Sequence, residues 1–171
     1  MRTTQTSHIK LLIFLGLSIS STAGAQCPET LPTDNRYGNA GCLITRDNKV
    51  LVLRHMPSGK IDLPSGRAKP REPAQCTAHR ETLEETGLDL EVGDLLGEFN
   101  SGFLLYSCQS ADGIYPDPLK VPLSARLEVL QLFWAELKGM DKNDWRFPSQ
   151  LEEIRRHIRR HKREAKKNST Q

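Results

Sequence analysis

Two short apolar runs, CLITR at 42–46 and VLVLRH at 50–55, flank the polar triplet Asp47-Asn48-Lys49, and strand-forming residues on either side of such a triplet predict a β-hairpin. A shorter run, IDLP at 61–64, predicts another strand that leads into the turn-forming pair Ser65-Gly66. Pro73 suits a first helical turn and Gly87 suits a C-cap, so a helix is predicted to start near Pro73 and to end at Gly87. Strand-like stretches follow at about 94 to 107 and 126 to 137, separated by a Pro- and Gly-containing segment at 110–124. A last helix is predicted from about Pro148 to Lys167, where Leu151, Ile154, Ile158 and Ala165 recur at helical offsets and the other faces are basic. Strands interrupted by two helices pack most simply as a mixed β-sheet flanked by helices, an α/β fold.

The N-terminus differs in character. Arg2 and Lys10 flank a polar start, LLIFLGLSIS supplies a short apolar run, and Ala23-Gly24-Ala25 follows. Together these predict a secretory signal peptide cleaved after Ala25. The run falls short of the roughly 20 apolar residues that span a bilayer. The chain is therefore expected to be exported, periplasmic or secreted. An uncleaved membrane anchor is one alternative. Lipidation at Cys27 is another, although Gln26 is a poor fit to the small residue that bacterial lipoprotein processing prefers. The expected organisation is a signal peptide at 1–25, an N-terminal arm at 26–37, one domain at 38–167 that includes the basic C-terminal helix, and a disordered tail at 168–171.

Composition fits one soluble globular domain: 171 residues, 37% hydrophobic, 26% charged, mean hydropathy −0.52. Cys27, Cys42, Cys76 and Cys108 all lie beyond the expected cleavage site. An even count in an exported domain favours disulfides, whose connectivity sequence leaves open. A structural zinc site competes, but no pair has close ligand spacing. Loss of Arg2 and Lys10 lowers the formal charge from +3 to +1. The stretch 151–167 holds eight Lys or Arg against three Glu. Such a helix either docks on the domain with a solvated outer face or attaches to an anionic membrane surface; nucleic acid is the less favoured partner.

Candidate chemistry concentrates at 66–88, GRAKPREPAQCTAHRETLEETGL. Glu81, Glu84 and Glu85 stand at i, i+3 and i+4, which places three carboxylates on one helical face. Like charges at those offsets repel, and a bound cation relieves the repulsion. Mg²⁺ or Mn²⁺ takes oxygen ligands of this kind. A backbone carbonyl at Gly66, following Pro64 and Ser65, could add a further hard ligand.

The pattern formed by Gly66, Glu72, Arg80, Glu81, Glu84, Glu85, Gly87 and Leu88 resembles the signature box of the Nudix hydrolases, with Thr82 where an aliphatic residue is usual. The resemblance covers most of residues 38–160 and implies an α/β/α sandwich with a mixed sheet. It also implies a metal-dependent pyrophosphohydrolase that cleaves the diphosphate bond of a nucleoside diphosphate linked to another moiety. By the residue match, Glu81, Glu84 and Glu85 are the metal carboxylates, the Gly66 carbonyl could be a further ligand, Arg80 is the partner that fixes a carboxylate rotamer, and Glu72 either anchors the loop or contributes in the shell around the ligands. One of the three glutamates could act as base. Glu128 and Glu98 are candidates for an additional acid from outside the box. The box of relatives often begins with two glycines and carries an acid in its first gap, whereas Ser65, Lys69 and Arg71 stand here and make the loop more basic.

Substrate choice lies outside the box. Trp134, Trp145, Phe103, Tyr106 and Tyr115 could stack on a base, although aromatics on strands more often build core. A soluble nucleotide-type diphosphate is the favoured substrate. A membrane-associated diphosphate on a lipid or sugar carrier is one alternative. A non-catalytic secreted module that binds polyphosphate or RNA is another.

Overall fold

A computed structural model describes residues 27–168, with side chains at 161, 162 and 164–168 excepted. The expected signal peptide and the last three residues of the expected tail lie outside the described residues. Strands β1 (Ala40–Arg46) and β2 (Lys49–His55) form the expected hairpin. Its turn residues Asp47 and Asn48 have φ of 49° and 66°. Two successive left-handed residues match the right-handed twist of the strands they join, and Asp and Asn tolerate that conformation.

The remaining strands are β3 (Ile61–Asp62), β4 (Ser65–Gly66), β5 (Glu91–Glu98), β6 (Leu104–Gln109) and β7 (Val129–Ala135). The single strand-like stretch expected at 94–107 is in fact a hairpin. Phe99 N–H donates to Phe103 O at 2.9 Å and Gly102, at φ 77°, turns the chain. The polar residues Asn100, Ser101 and Gly102 were the available signal. The sheet runs β3-β2-β1-β6-β5, with β4 paired to β1 and β7 to β2. Only β1 and β6 pair in parallel among the pairings of the described strands, so the sheet is mixed.

Alternation along the central strands builds two cores. Leu43, Val50, Val52 and Leu105 pack with Trp145, Leu151 and Ile154 on one face. Cys42, Ile44, Leu51, Leu104 and Tyr106 pack with Ala74 and Ala78 on the other. The first set is covered by helix α2 (Pro148–Asn168), the second by helix α1 (Ala74–Thr86), which gives the α/β/α sandwich. Burial of each Leu or Ile on these faces contributes about 1.5–3 kcal/mol. The apolar positions Leu151 and Ile154 of α2 are fully buried and Ile158 is partly so. Those three apolar positions are thus committed to the core.

Gly87 closes α1 in the left-handed conformation, φ 72°, its N–H donating to Leu83 O at 2.9 Å. At the other end Pro73 offers no side-chain cap. The N-terminal arm substitutes for one: Arg36 O accepts from Ala74 N at 2.9 Å. The buried Gln75 carboxamide accepts from Thr33 N at 2.6 Å and donates to Thr33 Oγ1 at 2.9 Å. A disulfide between Cys27 and Cys76 ties the arm to the helix, and a second joins Cys42 of β1 to Cys108 of β6. No cysteine of the described residues is free.

Candidate active site

Helix α1 carries an unusually polar buried face: Thr77, His79, Arg80, Thr82, Glu85 and Thr86 are all buried. At its middle, Arg80 is 4% exposed and spends its guanidinium on four partners. Nε donates to Glu72 Oε1 at 2.8 Å and one terminal nitrogen to Glu72 Oε2 at 2.9 Å. That nitrogen also reaches Arg67 O at 2.9 Å. The other donates to Glu81 Oε1 at 2.8 Å and Glu84 Oε2 at 3.0 Å. A bidentate guanidinium–carboxylate pair is among the stronger side-chain contacts, and its planar fork fixes both rotamers. Arg80 therefore holds Glu72 down to a pKa of about 2, helped by the Lys69 N–H and the Thr77 hydroxyl against the opposing effect of burial. In this geometry the Arg80 guanidinium touches the carboxylates of Glu72, Glu81 and Glu84 together.

The next turn is different. Ser65 N–H donates to Glu85 Oε2 at 2.8 Å, and Glu85 is buried. Burial pushes its pKa well up, and the charges of Asp62, Glu81 and Glu128 push it further against the Ser65 bond. Glu81 is also raised, by burial first, with Glu84 and Glu128 adding to the effect and Arg80 opposing it. Asp62, 3% exposed on β3, is pushed by burial up to about 6, although Arg146 donates to it at 3.3 Å and Leu63 N–H at 2.9 Å. Negative charge is thus in local excess around Glu85.

Gly66 stands against Glu81. A Cβ added to Gly66 would fall on the Glu81 carboxylate, so the strand-to-loop backbone approaches the acid as only glycine allows. This places a backbone segment beside the acids where the sequence expected a carbonyl ligand. The donor set is wholly hard oxygen and over-supplied with negative charge, which fits Mg²⁺ or Mn²⁺ better than a soft ion. The three box glutamates are not drawn into one cage here: Glu81 and Glu84 lean on Arg80 while Glu85 leans on Ser65. Among the described residues no group of three or more His, Cys, Asp or Glu side chains is gathered tightly enough to ligate one ion.

Of the two acids expected from outside the box, Glu128 acts on both Glu81 and Glu85 and precedes β7, its backbone O accepting from Met56 N at 2.7 Å. Glu98 lies apart, paired with Arg36 at 3.2 Å on the surface. Asp62 was missed in the sequence, where an acid in a two-residue strand carries no spacing signal; its clue was an Asp between the apolar Ile61 and Leu63. The aromatics lie in or against the cores. Trp145 and Tyr106 are fully buried, Phe103 packs on Phe99, and Trp134 is covered by the Arg46 guanidinium at 4.5 Å and the edge of Tyr115.

Comparison with known proteins places this geometry in context. The sequence profile of the NUDIX domain matches residues 36–157. A MutT-like protein of Streptomyces ambofaciens is 28% identical over 90 residues, which cover 50% of this chain and 58% of that relative's length. A NUDIX hydrolase from Nitrosomonas europaea has a similar fold, with TM-score 0.53 at 22% identity over 67% of this chain and 84% of that one. A UDP-X diphosphatase superposes with TM-score 0.56 at 17% identity, covering 78% of this chain and 68% of the other.

Proposed function

The chain belongs to the NUDIX family, and from that premise we propose that it is an exported hydrolase cutting the diphosphate bond of a nucleoside diphosphate linked to another moiety. Members of the family generally use divalent ions. Here Glu81, Glu84 and Glu85 would hold Mg²⁺ or Mn²⁺ beside the Gly66 backbone. A bound ion of this kind neutralises phosphate oxygens and lowers the pKa of a coordinated water. The chain's own residues prepare that chemistry. Arg80 fixes Glu81 and Glu84, and the Ser65 N–H fixes one oxygen of Glu85 and leaves Oε1 to take a proton or a ligand. Glu128 adds negative charge to the same cluster.

The observation that carries this reading is the buried Glu85, crowded by Asp62, Glu81 and Glu128. A fold gains nothing from concentrating buried like charges unless a cation or proton balances them. The test is a panel of diphosphates incubated with the chain from Gln26 onward and Mg²⁺ or Mn²⁺: nucleoside diphosphate sugars, dinucleoside polyphosphates and a lipid-carrier diphosphate. Metal-dependent release of a monophosphate product is expected from a soluble nucleotide-type member. Failure to cleave any of them would sink the proposal. Export is tested separately, since N-terminal sequencing of the mature protein should begin at Gln26.

A further inference from the structure

We propose that the loop from Arg67 to Arg71 recognises phosphates beyond the linkage that is cut, so that the preferred substrates carry a phosphate chain longer than a diphosphate. The inference rests on the hydrolase reading above and names its substrate class. The loop's backbone is fixed by the same residues that orient the acids. Arg67 O accepts from Arg80 at 2.9 Å, and Lys69 N–H donates to Glu72 Oε2 at 2.8 Å. Glu72 N–H donates to Lys69 O at 3.0 Å, and Ala68 N–H to Asn39 Oδ1 at 3.2 Å. Any charge carried by this loop is therefore held next to the acidic centre.

Three cations ride on it. Arg67, Lys69 and Arg71 are exposed, and none of their side chains pairs with a carboxylate among the described residues. The one acid within reach along the loop, Glu72, is already engaged by Arg80, by Lys69 N–H and by Thr77. Arg71 also sits at φ 63°, where glycine or asparagine is the ordinary choice. A residue other than Gly held there costs about 1 kcal/mol. Keeping a guanidinium at a strained position beside two other unpaired cations, next to a centre built for phosphate chemistry, is explained by an anionic ligand. The acids repel a free polyanion, whereas the loop attracts it, and charges act over roughly 8 Å at physiological salt. Contacts of guanidinium and ammonium groups with phosphate are charge-assisted and discriminate by charge.

The test uses the double variant Lys69→Gln, Arg71→Asn. Asparagine tolerates positive φ, so the backbone is not strained further. Hydrolysis of a dinucleoside tetraphosphate and of a nucleoside diphosphate sugar is compared with divalent ion present. Binding of inorganic tripolyphosphate is measured separately in the presence of a chelator. The variant is expected to lose about tenfold in kcat/KM on the tetraphosphate, the scale of one good ionic contact. The loss on the sugar substrate should be at least about fivefold smaller, and Arg71→Lys should keep most of the wild-type ratio. Tripolyphosphate binding should weaken in parallel and fall with salt, which separates recognition of phosphate itself from recognition of a nucleoside. Equal losses on both substrates, or tripolyphosphate binding unchanged by the variant, would overturn the inference. If the wild type cleaves neither substrate, the hydrolase reading fails instead, and the chelator experiment still decides the role of the loop.

Discussion

Two neighbouring turns of α1 carry acids of the same type in opposite electrostatic circumstances. Around Arg80, three carboxylates share one buried guanidinium, and Glu72 is driven down to a pKa of about 2. Around Glu85, the neighbours are more acids, and both Glu85 and Asp62 are driven up, Asp62 to about 6. The first arrangement is balanced by Arg80, which anchors Glu72 and orients Glu81 and Glu84. The second is balanced only by a proton or a cation, and that imbalance marks where the chemistry belongs. A helix can thus hold an ion network balanced by its own arginine and an unbalanced acidic cluster a single turn apart.

Removing one charged member of each arrangement should separate them most sharply. Glu85→Gln is expected to lower metal-dependent turnover at least about a hundredfold. Its melting temperature should hold or rise, because the amide oxygen still accepts from Ser65 and a crowded buried charge is gone. Unchanged turnover would remove Glu85 from the reaction. Arg80→Met should do the reverse to stability. It strands three carboxylates and is expected to cost about 3–5 kcal/mol in a denaturant melt. A variant as stable as wild type would show that the network is not what holds the loop on the helix.

Acidity gives a subtler contrast. The ordinary glutamate value of 4.5 lies above that of folded Glu72, so its contribution is present above that pH and is lost as pH falls toward 2. Folded Asp62 lies above its ordinary 3.8, so the stability it lends when protonated is full below that pH and is lost as pH rises through about 6. Mg²⁺ or Mn²⁺ should accordingly raise the melting temperature more at about pH 8, above the titration of Asp62, than at about pH 5, below it. A metal effect independent of pH would break the distinction between the clusters. The smallest effect is expected at Thr82, fully buried with its hydroxyl unpartnered. Thr82→Val should stabilise the fold by about 1 kcal/mol, read in the same melt. Destabilisation would mean that the hydroxyl has a partner in solution.

The box itself was legible because its logic is local: Gly66, Glu72, Arg80 and the three glutamates lie within one loop and one helix, where spacing sets position. The hairpin at Asp47-Asn48 and the Gly87 cap were legible for the same reason. Asp62, Arg146 and Glu128 reach the acids through strand pairing, such as Leu53 opposite both Asp62 and Leu132, and no spacing rule encodes such meetings. The split of 94–107 into two strands was hidden by strand-forming residues that continue up to the turn on both sides. The role of Gln75 was equally invisible, since its partners Thr33 and Gly93 lie 42 residues before it and 18 after it.

The stitching of the arm onto α1 through Cys27, Cys76 and Gln75 bears on how this helix opens. A helix that begins at an uncapped proline would ordinarily fray from that end, and its first amides would trade hydrogen with solvent ahead of the rest. Here the end nearest the acids' loop cannot peel away unless the arm leaves with it. The lifetime of the first turn of α1 is thereby tied to that of the whole domain.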